Sequence, residues 1–95
     1  MENYELIDNE EDNQYEFHIG KYRPKIEYIK PPNGEIYLIH TEIPVALEGQ
    51  GIGSQLVRKV LEDIERQGLR LVPLCPFVVG YIQKHPEWRR IVIKE

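Results

Sequence analysis

The alternation of apolar and polar residues predicts three strands in the first half of the chain. Residues 15–19, 22–30 and 35–43 each carry apolar side chains at about every second position, the period of a strand with one buried face. The segment 31–34 (PPNG) is a strong turn signal, so the strands on either side of it should pair antiparallel. A further short strand is predicted at 4–7.

The polar stretch 8–14 separates the first two predicted strands. It is acidic and amide-rich and has no apolar side chain to bury, which predicts an exposed turn. An acidic patch that binds a basic partner is the functional alternative.

The apolar period becomes helical after the middle of the chain. Over residues 54–67 the apolar side chains fall on one face of a helix, and Gly68 is a good residue to end it. Residues 69–74 are then almost wholly apolar, as in a buried strand. Together with the strand at 35–43 they form a βαβ unit, whose two strands should lie parallel with a right-handed crossover.

The end of the chain predicts a second helix and one more packed element. Pro76 suits a first helical turn, and the segment 85–86 (HP) should stop the helix. Trp88 and residues 91–93 then indicate a last strand or a packed tail. The predicted apolar positions of this helix are Phe77, Val78, Tyr81 and Ile82.

Length, charge and cysteine content narrow the class of protein. Ninety-five residues with 41% apolar content indicate one globular domain, residues 1–95, and a net charge of −4 disfavours a nucleic-acid binder. With no apolar run of about 20 residues, we predict no membrane span and no membrane partner. Because the single cysteine, Cys75, cannot form an internal disulfide, we expect a cytoplasmic location.

A glycine-rich turn, 48–54 (EGQGIGS), joins the apolar strand to the helix. Gly49, Gly51 and Gly53 allow left-handed backbone angles and a close approach to a ligand. A turn of this kind directs backbone N–H groups and the positive end of the helix dipole at one point, which suits a phosphate or a diphosphate. The structural alternative is a tight turn that needs glycine for steric reasons alone.

These elements resemble the GCN5-related N-acetyltransferase superfamily, and most closely its small single-domain branch. The resemblance rests on five segments: 40–44 (HTEIP), 49–53 (GQGIG), 72–77 (VPLCPF), 81–82 (YI) and 85–87 (HPE). It implies a mixed α/β (α+β) fold with a mostly antiparallel sheet, a βαβ unit that binds acetyl-CoA, and a second short helix.

Two features depart from the superfamily pattern. Glu48 stands where Gln or Arg is usual, so we expect its side chain to turn to solvent and the cofactor to be held by main-chain N–H groups. Turn-rich segments replace the two helices that shape the acceptor pocket in larger members. The acceptor site should therefore be shallow and open.

By this resemblance, the pantetheine arm of acetyl-CoA lies between two splayed strands and pairs with the main chain of Ile43 and Val45. The other cofactor-binding residues that the resemblance implies are Gly49, Gln50, Gly51, Ile52, Gly53, Ser54, Cys75, Pro76, Phe77, Tyr81, Lys84 and His85.

Four residues are candidates for catalysis. Glu42, with His40 two positions before it, could take a proton from the acceptor amine. The resemblance implies that Tyr81, on the second helix, protonates the leaving thiolate, as a tyrosine there often does in the superfamily. Each of these three side chains has a purely structural alternative, as a polar residue on a strand or as a packed aromatic ring. Cys75 precedes a helix N-terminus, which favours a thiolate, and it could be a nucleophile, a pocket-lining residue or a small buried hydrophobe.

The three histidines, His18, His40 and His85, show no metal-ligand spacing, so we predict no metal. The expected function is transfer of an acetyl group from acetyl-CoA to a primary amine of a protein, a peptide or a small molecule. The alternatives are a non-catalytic module that binds acetyl-CoA or CoA, and an interaction protein that has lost the cofactor. We expect a monomer or a weak homodimer.

Overall fold

The computed structural model describes residues 2–93. Five strands and two α-helices follow one another along the chain: β1 Ile7–Asn9, β2 Gln14–Glu16, β3 Lys25–Ile29, β4 Glu35–Glu42, α1 Ile52–Arg66, β5 Arg70–Pro73 and α2 Pro76–Lys84. Two 3₁₀ segments, Val45–Leu47 and Pro86–Ile91, precede α1 and follow α2.

All five strands form one sheet, in the order β1-β2-β3-β4-β5. The first three pairs of neighbours are antiparallel, and β4 and β5 are parallel. Since α1 joins these two parallel strands, the predicted βαβ unit and the mostly antiparallel sheet are confirmed. Among the described residues, no helix is long and apolar enough to span a bilayer.

One face of α1 is packed against one face of the sheet. The buried side chains of α1 recur every three or four residues, which explains the helical period of the sequence. They meet buried residues of β2 to β5, of α2 and of the C-terminal segment in one apolar core. The fully buried aliphatic residues of α1 are Ile52, Leu56, Val57, Val60, Leu61 and Ile64.

A register shift between β3 and β4 sets which side chains of β4 face this core. Glu27 pairs with His40, whereas Tyr28 pairs with Leu38, so Ile39 has no partner in β3. Beyond this bulge Thr41 lies opposite the buried Ile26. Thr41 therefore faces the core, and its two neighbours along the strand face the opposite side of the sheet.

The observed bounds correct the prediction at both ends of the chain. The strand predicted at 4–7 is wrong: β1 begins at Ile7 and extends into the polar stretch, because the backbone N–H of Tyr4 donates to the Gln55 side chain of α1 instead (2.8 Å). β2 and β3 are also shorter than the predicted strands 15–19 and 22–30.

At the other end, the second alternative, a packed tail, is the observed one. Trp88 and Ile91 are buried within a 3₁₀ turn. Val92 then forms an isolated parallel bridge with Leu71 of β5, and the N–H of Ile93 donates to the Leu71 carbonyl (2.9 Å). The helix α1 begins at Ile52, two residues earlier than predicted, because Gly51 already starts the turn.

Candidate functional site

The glycine turn has the geometry of an uncapped helix N-terminus. Gly49 and Gly51 both have left-handed backbone angles (φ +80° and +76°), which glycine adopts without strain. Gly51 occupies the N-cap position, and no side chain caps the helix. Backbone bonding at this end starts with the N–H of Gln55, which donates to the carbonyl of Gly51 (3.1 Å). The N–H groups of the first turn are therefore oriented to receive an anion.

The third glycine of the turn is required for a different reason. Gly53 has ordinary helical angles, but a Cβ atom at this position would lie 2.6 Å from Cζ of Phe77. The ring of Phe77, at the start of α2, thus lies directly over the backbone of α1. Gly53 therefore allows the two helices to approach each other at the cleft.

The turn forms one wall of a cleft of about 190 Å³. A second cavity of about 250 Å³ shares Gly51 and Ser54 with it, so the two are contiguous. The first is lined by Ile43, Leu47, Glu48, Gly49, Gly51, Ile52, Gly53, Ser54 and Phe77. The second is lined by Gly51, Ser54, Gln55, Arg58, Tyr81 and His85. We refer to the two together as the glycine cleft.

One face of α2 forms the opposite wall of the glycine cleft. Phe77, Tyr81 and His85 follow at intervals of four residues, and the rings of Tyr81 and His85 are stacked with centroids 4.3 Å apart. Burial raises the pKa of the Tyr81 hydroxyl, and the nearby Arg58 only partly offsets this. Tyr81 therefore remains protonated at neutral pH and is able to act as a proton donor.

Arg58 is a cleft residue that the sequence analysis missed. It lies one helical turn after Ser54, on the same side of α1. The signal available in the sequence was its position four residues after Ser54, which is one helical turn.

Cys75 lies outside the glycine cleft, at the N-cap of α2. Its thiol is buried and lies 3.1 Å from the hydroxyl of Thr41. Sequence reasoning missed this contact, although Thr41 stands between two predicted catalytic residues.

The strands β4 and β5 separate beside this contact. Their parallel pairing ends at Leu38 and Pro73, and the backbone N–H groups of Leu74 and Cys75 both donate to the carbonyl of Leu38 (3.0 Å each). β4 then continues to Glu42, whereas the segment that follows β5 turns away into α2. The result is a gap between the two strands, with Thr41 and Cys75 on its core side.

The side chains of His40 and Glu42 lie on the far face of the sheet from Cys75. Both are exposed, and His40 Nε2 lies 3.2 Å from a carboxylate oxygen of Glu42. Glu27 completes a group of three possible metal ligands. However, the Lys25 ammonium lies 3.0 Å from the Glu27 carboxylate and occupies the position of a cation. The absence of a metal stays a prediction.

The remaining predicted residues lie at the rim of the site. Val45 is 81% exposed and belongs to a 3₁₀ turn, not to an extended segment. The Gln50 side chain is directed back to the carbonyl of Ala46 (3.4 Å), Pro76 is the first residue of α2, and Lys84 is exposed in its last turn. Glu48 is exposed, as expected, yet it lines the glycine cleft.

A sequence profile described as GCN5-related N-acetyltransferase matches residues 14–91. The chain belongs to this family. The fold is also similar to that of a GCN5-like protein from Staphylococcus aureus, solved in solution by NMR, with a TM-score of 0.72. The two sequences are 24% identical, and the match covers 100% of this chain and 93% of the other.

Family membership makes this protein an N-acetyltransferase, and acetyl-CoA is the donor that enzymes of this family generally use. The glycine cleft and the gap between β4 and β5 lie where the resemblance in the sequence implied a cofactor site. No residue of that site is assigned by the comparison itself.

Proposed function

We propose that this acetyltransferase binds acetyl-CoA in the glycine cleft and transfers the acetyl group to a primary amine. The observation that carries this proposal is the uncapped N-terminus of α1, where left-handed Gly51 exposes N–H groups to a cleft whose one acidic lining residue, Glu48, is exposed to solvent. A diphosphate is the ligand that this arrangement favours.

The position of the diphosphate determines how the rest of acetyl-CoA would lie. In this proposal the diphosphate accepts hydrogen bonds from the N–H groups of residues 49–54. Arg58, which also pairs with Glu62 (3.2 Å), contributes positive potential from the second part of the cleft, and His85 lines the same part. The pantetheine arm runs past Ile43 and Phe77 into the gap between β4 and β5. Lys84, at the exposed end of α2, reaches the phosphates from solvent.

The thioester then lies at the gap, with protein groups on both sides of the sheet. The amine nitrogen attacks the carbonyl carbon, the C–S bond breaks and the electron pair leaves with the sulfur of CoA. Glu42, held by His40, takes the proton from the amine, and Tyr81 gives a proton to the thiolate. The open face of the sheet is the side from which the amine approaches.

Cys75 has two possible roles in this scheme. Its burial and its contact with Thr41 favour a pocket-lining role in direct transfer. In the alternative, the Cys75 thiolate attacks the acetyl group first and CoA leaves, and the amine then attacks the acetyl-cysteine. Both routes consume one acetyl-CoA and one amine, and both yield the acetylated amine and free CoA.

Calorimetry with CoA, followed by acetylation of an amine panel with intact-mass detection, tests the proposal. We expect binding at one site, product formation that falls at least tenfold in Glu42→Gln and in Tyr81→Phe, and unchanged CoA affinity in Glu42→Gln. An increase in the mass of the enzyme itself by one acetyl group, absent in Cys75→Ala, would support the two-step route. Failure of CoA to bind would refute the assignment of the cleft. The cytoplasmic location and the monomer or weak homodimer stay predictions.

A further inference from the structure

The sheet face opposite α1 carries an apolar surface that the proposed chemistry does not use. Ile29 pairs with Tyr37, and Tyr37 pairs with Val72, so these three side chains form a row across β3, β4 and β5. Tyr37 lies between the buried Ile36 and Leu38 and therefore points away from the core. We call this row, together with Leu74, the open-face row.

The open-face row is largely accessible to solvent. Ile29 and Leu74 are 54% and 57% exposed, and the row places them on one surface with Tyr37 and Val72, so they are not scattered single side chains. Tyr37, Val72 and Leu74 line a shallow depression of about 480 Å³ beside the C-terminal segment. Leu74 directly precedes Cys75, so this depression reaches the gap where the acetyl group would lie.

Charged side chains continue on the same face across β2, β3 and β4. The register places Glu16, Lys25 and Glu42 in one row, and Glu27 in the next row beside His40. Glu16 is buried and bonded to His18, and Glu27 contacts the Lys25 ammonium (3.0 Å). Glu42, whose side chain is 62% exposed beside His40, is therefore the carboxylate of this group that is most open to a ligand. The pKa of Lys25 is raised by its hydrogen bond to Glu27 and by the charges of Glu42 and Glu16.

This surface fits one kind of occupant. Its negative charge, on a chain of net charge −4, disfavours a second copy that presents the same face, because like charges would meet. Its flatness gives a small amine few contacts. A basic extended peptide, by contrast, has a cation that complements the carboxylates and apolar side chains that pack on the open-face row.

Resting on the proposed function, we infer that the acceptor is a lysine side chain of an extended peptide segment that docks along the open-face row. The lysine amine lies at Glu42, and an apolar side chain of the same peptide packs on Tyr37 and Leu74. Tyr37 and Glu42 are five positions apart on β4, roughly 16 Å at about 3.3 Å per residue. Because an extended peptide directs side chains to one face only at even spacings, the apolar side chain should be four positions from the lysine, whose long side chain spans the remaining distance.

Steady-state acetylation of three blocked substrates tests this inference. The first is a peptide with leucine four positions from its single lysine, the second has the same composition with leucine next to lysine, and the third is Nα-acetyl-lysine amide. We expect the KM of the first peptide to be at least tenfold lower than that of the other two. Ile29→Ser should remove this advantage without changing kcat for the lysine amide.

Glu11→Ser, an exposed change in the turn after β1, is the matched control and should leave all three KM values unchanged. Equal KM values for the three substrates would overturn the docking site and leave acetyl transfer intact. If no amine is acetylated, the proposed function fails, and NMR titration of the CoA-loaded protein with the first peptide decides the docking alone. Amide shifts at Ile29, Tyr37 and Val72 would support the site, and their absence would refute it.

Discussion

The hydroxyl of Thr41 lies 3.1 Å from the thiol of Cys75 and links β4 to the start of α2 across the gap in the sheet. The bulge at Ile39 makes this contact possible, because it turns Thr41 to the core side. The same alternation turns His40 and Glu42 to the open face. One segment of β4 therefore contributes a polar group to the cofactor side and two polar groups to the acceptor side.

Removal of the Thr41 hydroxyl should slow the reaction of Cys75 with iodoacetamide. Thr41→Val keeps the shape but removes the hydrogen bond to the thiolate that reacts, and hydrogen bonds to charged groups contribute about 1.5–3 kcal/mol. We expect at least a tenfold lower rate constant for alkylation. Thr41→Ser, which keeps the hydroxyl, should react as the wild type does, and an equal rate in Thr41→Val would show that the contact is only packing.

Gly53→Ala should separate stability from cofactor binding. Alanine has a higher helix propensity than glycine by about 1 kcal/mol, but its Cβ would displace the end of the half-exposed Phe77 ring into the glycine cleft. We expect a melting temperature within a few degrees of the wild type, and about a tenfold weaker affinity for CoA in calorimetry. Gly80→Ala is the matched control: it lies in α2, has open space around it and should leave the affinity unchanged. Wild-type affinity in Gly53→Ala would place the ligand elsewhere.

Gly51→Ala tests the left-handed turn. A side chain at φ +76° costs roughly 1–2 kcal/mol, and the strained turn would move the N–H groups of the first helical turn. Gly68→Ala, at φ +72° after α1 and remote from the cleft, carries the same backbone cost. In urea denaturation both variants should lose about 1–2 kcal/mol of stability, whereas only Gly51→Ala should lose CoA binding. Loss of binding in both variants would indicate a general effect of destabilisation.

Glu16 should make the stability of the protein depend on acid pH. Its carboxylate is 6% exposed; burial raises its pKa, but hydrogen bonds with Gln14, His18 and Asn9 outweigh burial, so the pKa lies below its ordinary value. Its contribution to stability is therefore complete above the unfolded pKa of about 4.3 and is lost as the pH falls through the lower folded pKa.

In urea denaturation at pH 7, the free energy of unfolding of Glu16→Gln should be about 1–3 kcal/mol lower than that of the wild type. The reason is that the NH₂ group of the glutamine would face hydrogen-bond donors that need an acceptor. The difference should shrink as the pH falls below the unfolded pKa and should approach zero once the pH lies below the folded pKa. Glu11→Gln is the control and should match the wild type at every pH. A difference for Glu16→Gln that does not change with pH would show that shape, not charge, is responsible.

Local rules on the chain account for most of the fold. The two periods of apolar residues predicted the sheet, α1, β5 and their βαβ connection, because a buried face leaves a regular trace in the sequence. The failed strand at 4–7 shows the limit of such rules. Its backbone partner is Gln55, which is 51 positions from Tyr4, and no local pattern reports such a contact.

The features of the candidate site also divide into those that local sequence patterns predict and those that they do not. The anion-binding character of the glycine turn was readable from the sequence, because it depends on backbone angles and on the start of a helix, which are local properties. Only the tertiary structure decided that Phe77 lies over Gly53, that Arg58 faces the cleft and that Thr41 contacts Cys75. Each of these depends on how separate elements pack, and the face that β4 presents depends on one bulge in its pairing with β3.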